Sequence, residues 1–174
     1  MHTSSRFAAP WSLAVKIITA LTLALLLGTA LYGAAFMNKN APLTARALVT
    51  FMPLGIVLAT LPFLVRGLEI THNELRVERL GWQNRFPLAD VVSVAADPRA
   101  MRGSIRLCGS GGLFGFFGWF RNRTLGVYRA YGTAPGNAVV VKLRHRTIVV
   151  TPHDPARFVE EMRQRLPTTT EPGG

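Results

Sequence analysis

The first 66 residues hold no aspartate and no glutamate, and the chain has neither between Asp97 and Asp154. Nine acids in all face twenty lysines and arginines, which leaves a formal net charge of +11. The positive charge is unevenly placed. Before residue 67 it comes from Arg6, Lys16, Lys39, Arg46 and Arg66, and a second block holds Arg99, Arg102, Arg106, Arg121, Arg123, Arg129, Lys142, Arg144 and Arg146. A block of one sign sets up a field that attracts polyanions such as anionic lipid or nucleic acid, although a solvated basic surface has the same composition. Cysteine is nearly absent. Cys108 stands alone, which excludes a disulfide framework or a thiolate metal cluster within one chain. His72, His145 and His153 are scattered, and only His153 has an acid beside it, Asp154; turn and cap roles suit them better than a metal site.

The constellations of catalysis are missing too. Gly109-Ser-Gly111 begins like a dinucleotide loop, but Phe114 stands where the next glycine is required, and no Lys-Ser or Lys-Thr follows at phosphate-loop spacing. Ser110 lacks the strand-to-helix setting of a nucleophile elbow. Asp90 and Asp97 flank a short strand with no second acid placed for acid–base work. These absences predict a protein that is not an enzyme and that carries no cofactor and no metal.

What the chain does have is two long apolar runs. Residues 12–36 are broken only by Lys16, and 47–66 are uncharged up to the closing Arg66. At about 1.5 Å per residue each reaches roughly 30 Å, the thickness of a bilayer core. A cleaved signal peptide is the competing reading of the first run, but that run exceeds the usual apolar region. Pro53 and Pro62 are tolerated better in a membrane helix than in a soluble one. Small residues four apart (Ala24 and Gly28, Thr29 and Gly33, Gly55 and Ala59) would let two helices approach closely. Residues 12–66 therefore read as a transmembrane hairpin after an N-terminal tail, 1–11. Its flanks carry Arg6, Lys16, Arg66, Arg76 and Arg79 against Lys39 and Arg46 in the connector, which places both termini in the cytoplasm. A lone reduced cysteine fits that side.

From Gly67 short alternating segments take over: 68–70, 75–77, 86–88, 91–94, 105–107, 126–131, 139–143 and 148–150. Asp154 reads as an N-cap and Pro155 as the first helical position. Phe158, Val159, Met162 and Leu166 then line one face of a helix ending at Pro167. About seven or eight strands and one amphipathic helix predict an antiparallel barrel or sandwich over 67–167, capped or plugged by that helix. Residues 168–174 read as a disordered tail. Residues 108–123 fit neither helix periodicity nor strict strand alternation. Five glycines there are interleaved with Phe114, Phe116, Phe117, Trp119 and Phe120, followed by Arg121 and Arg123. The rings need burial in the core, in lipid or against a partner.

Over residues 67–166 the chain resembles the bacterial PH-like (pleckstrin-homology) domain membrane proteins. The resemblance rests on Leu68-Glu-Ile-Thr-His-Asn-Glu-Leu75, Phe86-Pro-Leu-Ala-Asp90, the run from Gly111 to Gly126, and Thr147 to Phe158. It implies two packed sheets and a capping C-terminal helix. Eukaryotic PH domains often bind phosphoinositides through basic residues near their first loop. Here that loop is Thr71-His-Asn-Glu74 beside Glu69 and Glu78, a departure from the basic pattern of a phosphoinositide site. The expected function is a membrane-anchored, non-enzymatic scaffold that binds a protein partner or itself. The alternative is anionic-lipid sensing or docking. Either would use Arg102, Arg106, Phe114, Phe116, Phe117, Trp119, Phe120, Arg121 and Arg123. Nucleic acid is not expected as a partner, because a membrane tether disfavours it.

Overall fold

A computed structural model describes residues 4–38 and 40–166; Lys39, Pro167 and the expected tail 168–174 lie outside the described residues. The order of elements is β1 (Ser5–Ala8), α1 (Leu13–Ala35), α2 (Leu43–Thr60) running into a 3-10 turn (Leu61–Phe63), β2 (Val65–Ile70), β3 (Glu74–Arg79), β4 (Gln83–Pro87), β5 (Val91–Ala96), β6 (Ile105–Gly112), β7 (Gly115–Asn122), β8 (Gly126–Gly132), β9 (Val139–Leu143), β10 (Arg146–Val150) and α3 (Pro155–Arg165). One sheet has the order β1-β2-β3-β4, the other β5-β9-β10-β8-β7-β6. Neighbours are antiparallel except β8 and β10, which run parallel with Tyr131 opposite Val150. The sheets form a sandwich, and the described residues close no barrel.

The first strand corrects the reading of residues 1–11 as a tail. Ser5 to Ala8 pair antiparallel with β2, from Ser5 opposite Ile70 to Ala8 opposite Gly67. Phe7 points inward, its ring edge-on to that of Phe158 at 5.2 Å. Four residues are too few to declare a strand by alternation, and Arg6 and the small Ala8 conceal the pattern. Because Ala8 and Gly67 face each other, the whole helical hairpin occupies the position of a loop between two paired strands. Its two ends leave the sandwich side by side.

Ser12 caps α1, accepting from the Val15 N–H at 3.3 Å. The first helix then runs from Leu13 to Ala35. The second begins four residues earlier than expected, at Leu43 rather than 47: the Pro42 carbonyl accepts from the Arg46 N–H at 3.1 Å, and proline has no N–H of its own to leave unpaired at a helix start. Arg46 therefore lies in the first turn of α2. Of the small-residue spacings, Gly33 makes the inter-helix approach: a Cβ there would meet Thr50 Oγ1 at 2.8 Å. Gly28 and Gly55 face open space. Both helices, Leu13–Ala35 and Leu43–Phe63, are long and apolar enough to cross a membrane. Leucines such as Leu21, Leu25 and Leu58 point outward with no protein over them, unlike those of a helix buried in a soluble core.

The main core lies between the sheets. Leu68, Ile70, Leu75, Val77 and Phe86 from one sheet meet Val139, Val141, Ile148 and Val150 from the other, with Phe158, Val159 and Met162 of α3. The Asp154 carboxylate accepts from the Arg157 N–H at 3.0 Å and caps this helix, as expected. A smaller cluster covers the outer face of the long sheet: Phe120, Tyr128, Ala130, Val140 and Val149 beneath Ala100 and Ala138.

The glycine-aromatic stretch is a β-hairpin, β6–β7, which sequence alternation did not reveal. A bulge between Arg106 and Cys108 shifts the register. Beyond it Gly109 and Gly118 lie directly opposite with φ of +114° and +115°. A Cβ at either would fall 2.1 Å from the carbonyl oxygen of Phe117 or Cys108, so the strands cross at a distance only glycine allows.

Candidate interaction surface

The hairpin tip is the contact between sandwich and helices. The Phe114 N–H donates to Thr19 Oγ1 at 3.0 Å, and that hydroxyl donates to the Gly112 carbonyl at 3.3 Å. Phe114, at φ 59°, tucks beneath Trp11 with ring centroids 6.2 Å apart. A Cβ at Gly112 would strike Ile18 at 2.8 Å. The tip therefore leans on the first turns of α1.

Alternation along β7 then separates the rings. Phe116 and Phe120 face the smaller cluster, and Phe116 is half-buried beside a groove of about 420 Å³ lined also by Arg99, Met101, Arg102 and Pro135. Phe117 turns to the opposite face and stacks on Phe63, which ends the 3-10 turn after α2, at 5.3 Å. Trp119 lies on the same face further out and is 40% exposed. Of the nine residues named from sequence, Phe114, Phe117 and Phe120 are buried, Phe116 is half-buried, and Arg102, Arg106, Trp119, Arg121 and Arg123 are exposed. The structure does not gather all nine into one surface.

An open edge lies beside them. β6 ends the long sheet, and Ile105 and Leu107 on it are 70% and 54% exposed. Val127 and Trp119 on the neighbouring strands extend this apolar patch, and Cys108 is exposed within it.

Sequence reasoning missed the most unusual group, Arg79. Period-two alternation in β3 buries Leu75, Val77 and Arg79 together, so an arginine at an inward position was the available signal. Its guanidinium carbon lies 5.0 to 5.9 Å from the ring centroids of Tyr131, Phe63, Trp82 and Phe117. Such cation–π contacts replace part of the lost hydration. Burial lowers the Arg79 pKa, the Tyr131 phenol opposes this, and the Arg129 charge adds to it. Burial also raises the Tyr131 phenol pKa, which the charges of Arg129, Arg79 and Arg146 draw back down. Arg129 lies 5.3 Å from the Tyr131 ring and 5.7 Å from that of Trp119.

The acids are engaged elsewhere. Glu69, Glu74 and Glu78 pair with Arg6 and Arg76, and Glu161 with Arg157 and Arg165. The carboxylates of the first loop and its strands are thus paired locally. Among the described residues no basic side chain from Arg99 to Arg146 is within ion-pair distance of a carboxylate.

Two packed sheets and a C-terminal helix against their common core define a PH-like β sandwich. A model of the bacterial PH domain family matches residues 66–166, more than half of the chain. The chain belongs to that family. No curated protein and no solved structure matches it. The matched range begins after the helices, so it leaves out β1, which completes the first sheet. Membership makes an interaction or lipid-binding module the general class, and PH domains as a class are not catalytic.

Proposed function

We propose that α1 and α2 cross a bacterial cytoplasmic membrane with both chain ends in the cytoplasm. The sandwich is a non-enzymatic scaffold module that binds a protein partner or a second copy of itself. The open β6 edge, with Ile105 and Leu107 exposed, carries this reading: an unpaired strand beside an apolar patch is a ready site for strand addition or face-to-face packing. A chain already held by two spans also gains little from peripheral attachment. Cys108 gives a direct test because it is the chain's one cysteine and lies on that strand. A thiol-attached photocrosslinker at Cys108 in native membranes should give one adduct of discrete mass, either a dimer or a heteromer. Ile105→Asp with Leu107→Asp should abolish it. Absence of any discrete adduct, or an adduct indifferent to the substitutions, counts against the reading.

Docking onto anionic lipid is the second reading. The contact of the hairpin tip with Ile18 and Thr19 favours it, since that contact holds β7 near the helix exit. Its surface would be Arg102, Arg106, Trp119, Arg121 and Arg123, without the buried rings. Near an anionic leaflet each such cation contributes about 1 kcal/mol, and salt screens it.

A further inference from the structure

We propose that the joint between the second helix and the sandwich is a binding site for the phosphate of an anionic phospholipid headgroup, held by Arg79, Arg129 and Tyr131. This shares only the ligand's charge with the second reading; it rests on the buried Arg79 and Tyr131 and the half-buried Arg129 rather than on the exposed arginines.

Among the described residues no carboxylate pairs with this cluster. Arg79 is 7% exposed and Tyr131 1%. Arg79 Nε, Arg129 Nε and the Tyr131 hydroxyl are all buried with no hydrogen-bond partner. Aromatic faces offset part of a cation's lost hydration but leave its in-plane N–H donors unfilled. None of the ion pairs among the described residues involves Arg79, Arg129 or Arg146, and all three charges act on the Tyr131 phenol. Like charges converging on one desolvated phenol raise each other's free energy unless an anion joins them. A phosphate oxygen accepts from guanidinium and hydroxyl donors together, and its several oxygens suit the planar forks of two arginines.

Position selects the source of that phosphate. Phe63, one wall of the Arg79 cage, is the last residue of the turn that ends α2. Phe117, another wall, stacks on it. Trp82 completes that side edge-on to Phe63 at 5.1 Å, and it is 41% exposed. Arg79 also lines an open cavity with Gly81, Trp82, Gln83 and Arg85. The Arg79 side of the cluster therefore opens where a proposed span leaves the bilayer, the depth at which headgroup phosphates and interfacial tryptophans sit.

The test uses the full chain in a mild neutral detergent. Phosphatidylglycerol should raise its Tm by about 5 °C or more at roughly a hundredfold excess over the dissociation constant, and phosphatidylcholine should not. Arg79→Gln also removes a core contact, so Arg129→Gln and Tyr131→Phe are the informative variants. Both should lose most of the phosphatidylglycerol shift. Arg129→Gln, freed of the repulsion, should melt no lower than the parent without lipid. Arg121→Glu with Arg123→Glu should leave the shift intact, although it would weaken vesicle docking under the second reading. Equal shifts with both lipids, or an undiminished shift in both informative variants, overturn the proposal. A full shift from inorganic phosphate with none from phosphatidylglycerol overturns the lipid assignment.

Discussion

Replacing Phe7 by alanine tests whether the first strand belongs to the sandwich. The ring is 7% exposed, sits edge-on to the fully buried Phe158, and has the Arg157 guanidinium 5.8 Å from its centroid. Truncating a buried phenylalanine costs about 3–5 kcal/mol, of which the aromatic pair supplies roughly 0.5–1.5 kcal/mol. Because β1 is an edge strand and can relax toward the space left, the lower part of that range, about 3 kcal/mol, is expected. Against a total stability of about 5–15 kcal/mol this is a large loss. Arg6→Ala is the control. The Arg6 side chain is 71% exposed, and its partner Glu69 keeps Arg76 at 3.7 Å, so its loss should cost less than about 1 kcal/mol. The measurement is urea unfolding of a soluble chain in which residues 4–12 are joined to 64–166 by a Gly/Ser linker. About eight linker residues reach roughly 15 Å, which exceeds the 8–10 Å usual between packed helix axes. A Phe7→Ala loss below about 1 kcal/mol, or equal stability of residues 67–166 alone, would refute the placement of β1.

The remaining predictions probe other joints. Gly118→Ala puts a Cβ 2.1 Å from the Cys108 carbonyl oxygen at a φ of +115°, so it should destabilise the folded chain by at least about 3 kcal/mol in thermal melts; Gly136→Ala, which meets nothing, should stay within about 0.5 kcal/mol. The Tyr131 and Tyr128 phenol pKa values are both raised, chiefly by burial. Their contribution to stability is therefore full below the unfolded-state value of about 10 and is lost as pH rises through the folded values. Tm should hold to about pH 9 and then fall, and Tyr131→Phe should remove part of that fall; a steeper fall in the variant would contradict the sign. For topology, a reporter fused at residue 42 should report the outer side and one at the C-terminus the cytoplasm, and a cytoplasmic signal at residue 42 would defeat the two-span reading.

The legible parts of the fold were those where pattern and burial coincide. Leu75 and Val77, Val139 to Leu143, and the Asp154-Pro155 entry to α3 each follow one periodicity from end to end. The hairpin β6–β7 was hidden because glycine carries no side chain to alternate, and because the bulge after Arg106 switches faces within the strand. β1 was hidden because its partner lies some 60 positions away in sequence, beyond the reach of any local signal. The expected surface was legible in composition but not in direction. Phe114, Phe117 and Phe120 face three different neighbours, and only a known register could have separated them. Arg79 was visible as a charge and invisible as a buried one, since its environment comes from β7, β8 and the end of α2.

Placing the helices between β1 and β2 constrains the module more than a single tail anchor would. A tail anchor leaves one flexible connection, and the domain can rotate about it. Here two connections leave adjacent strands, and each is fixed to the sandwich. Ser12, the cap of α1, donates its N–H to the Thr133 carbonyl at 3.1 Å, and the Thr133 hydroxyl donates to the Pro10 carbonyl at 2.8 Å. On the other connection the Leu80 N–H donates to the Leu64 carbonyl at 3.3 Å, next to the Phe63–Phe117 stack. The hairpin tip on Thr19 adds a third contact. Three separate contacts restrain the orientation, so one face of the sandwich meets the helix ends. Arg79 and its rings belong to that face, and the β6 edge runs away from it starting at the tip. Under the proposed scaffold role, a partner docking on β6 would be held at a set angle to the helices.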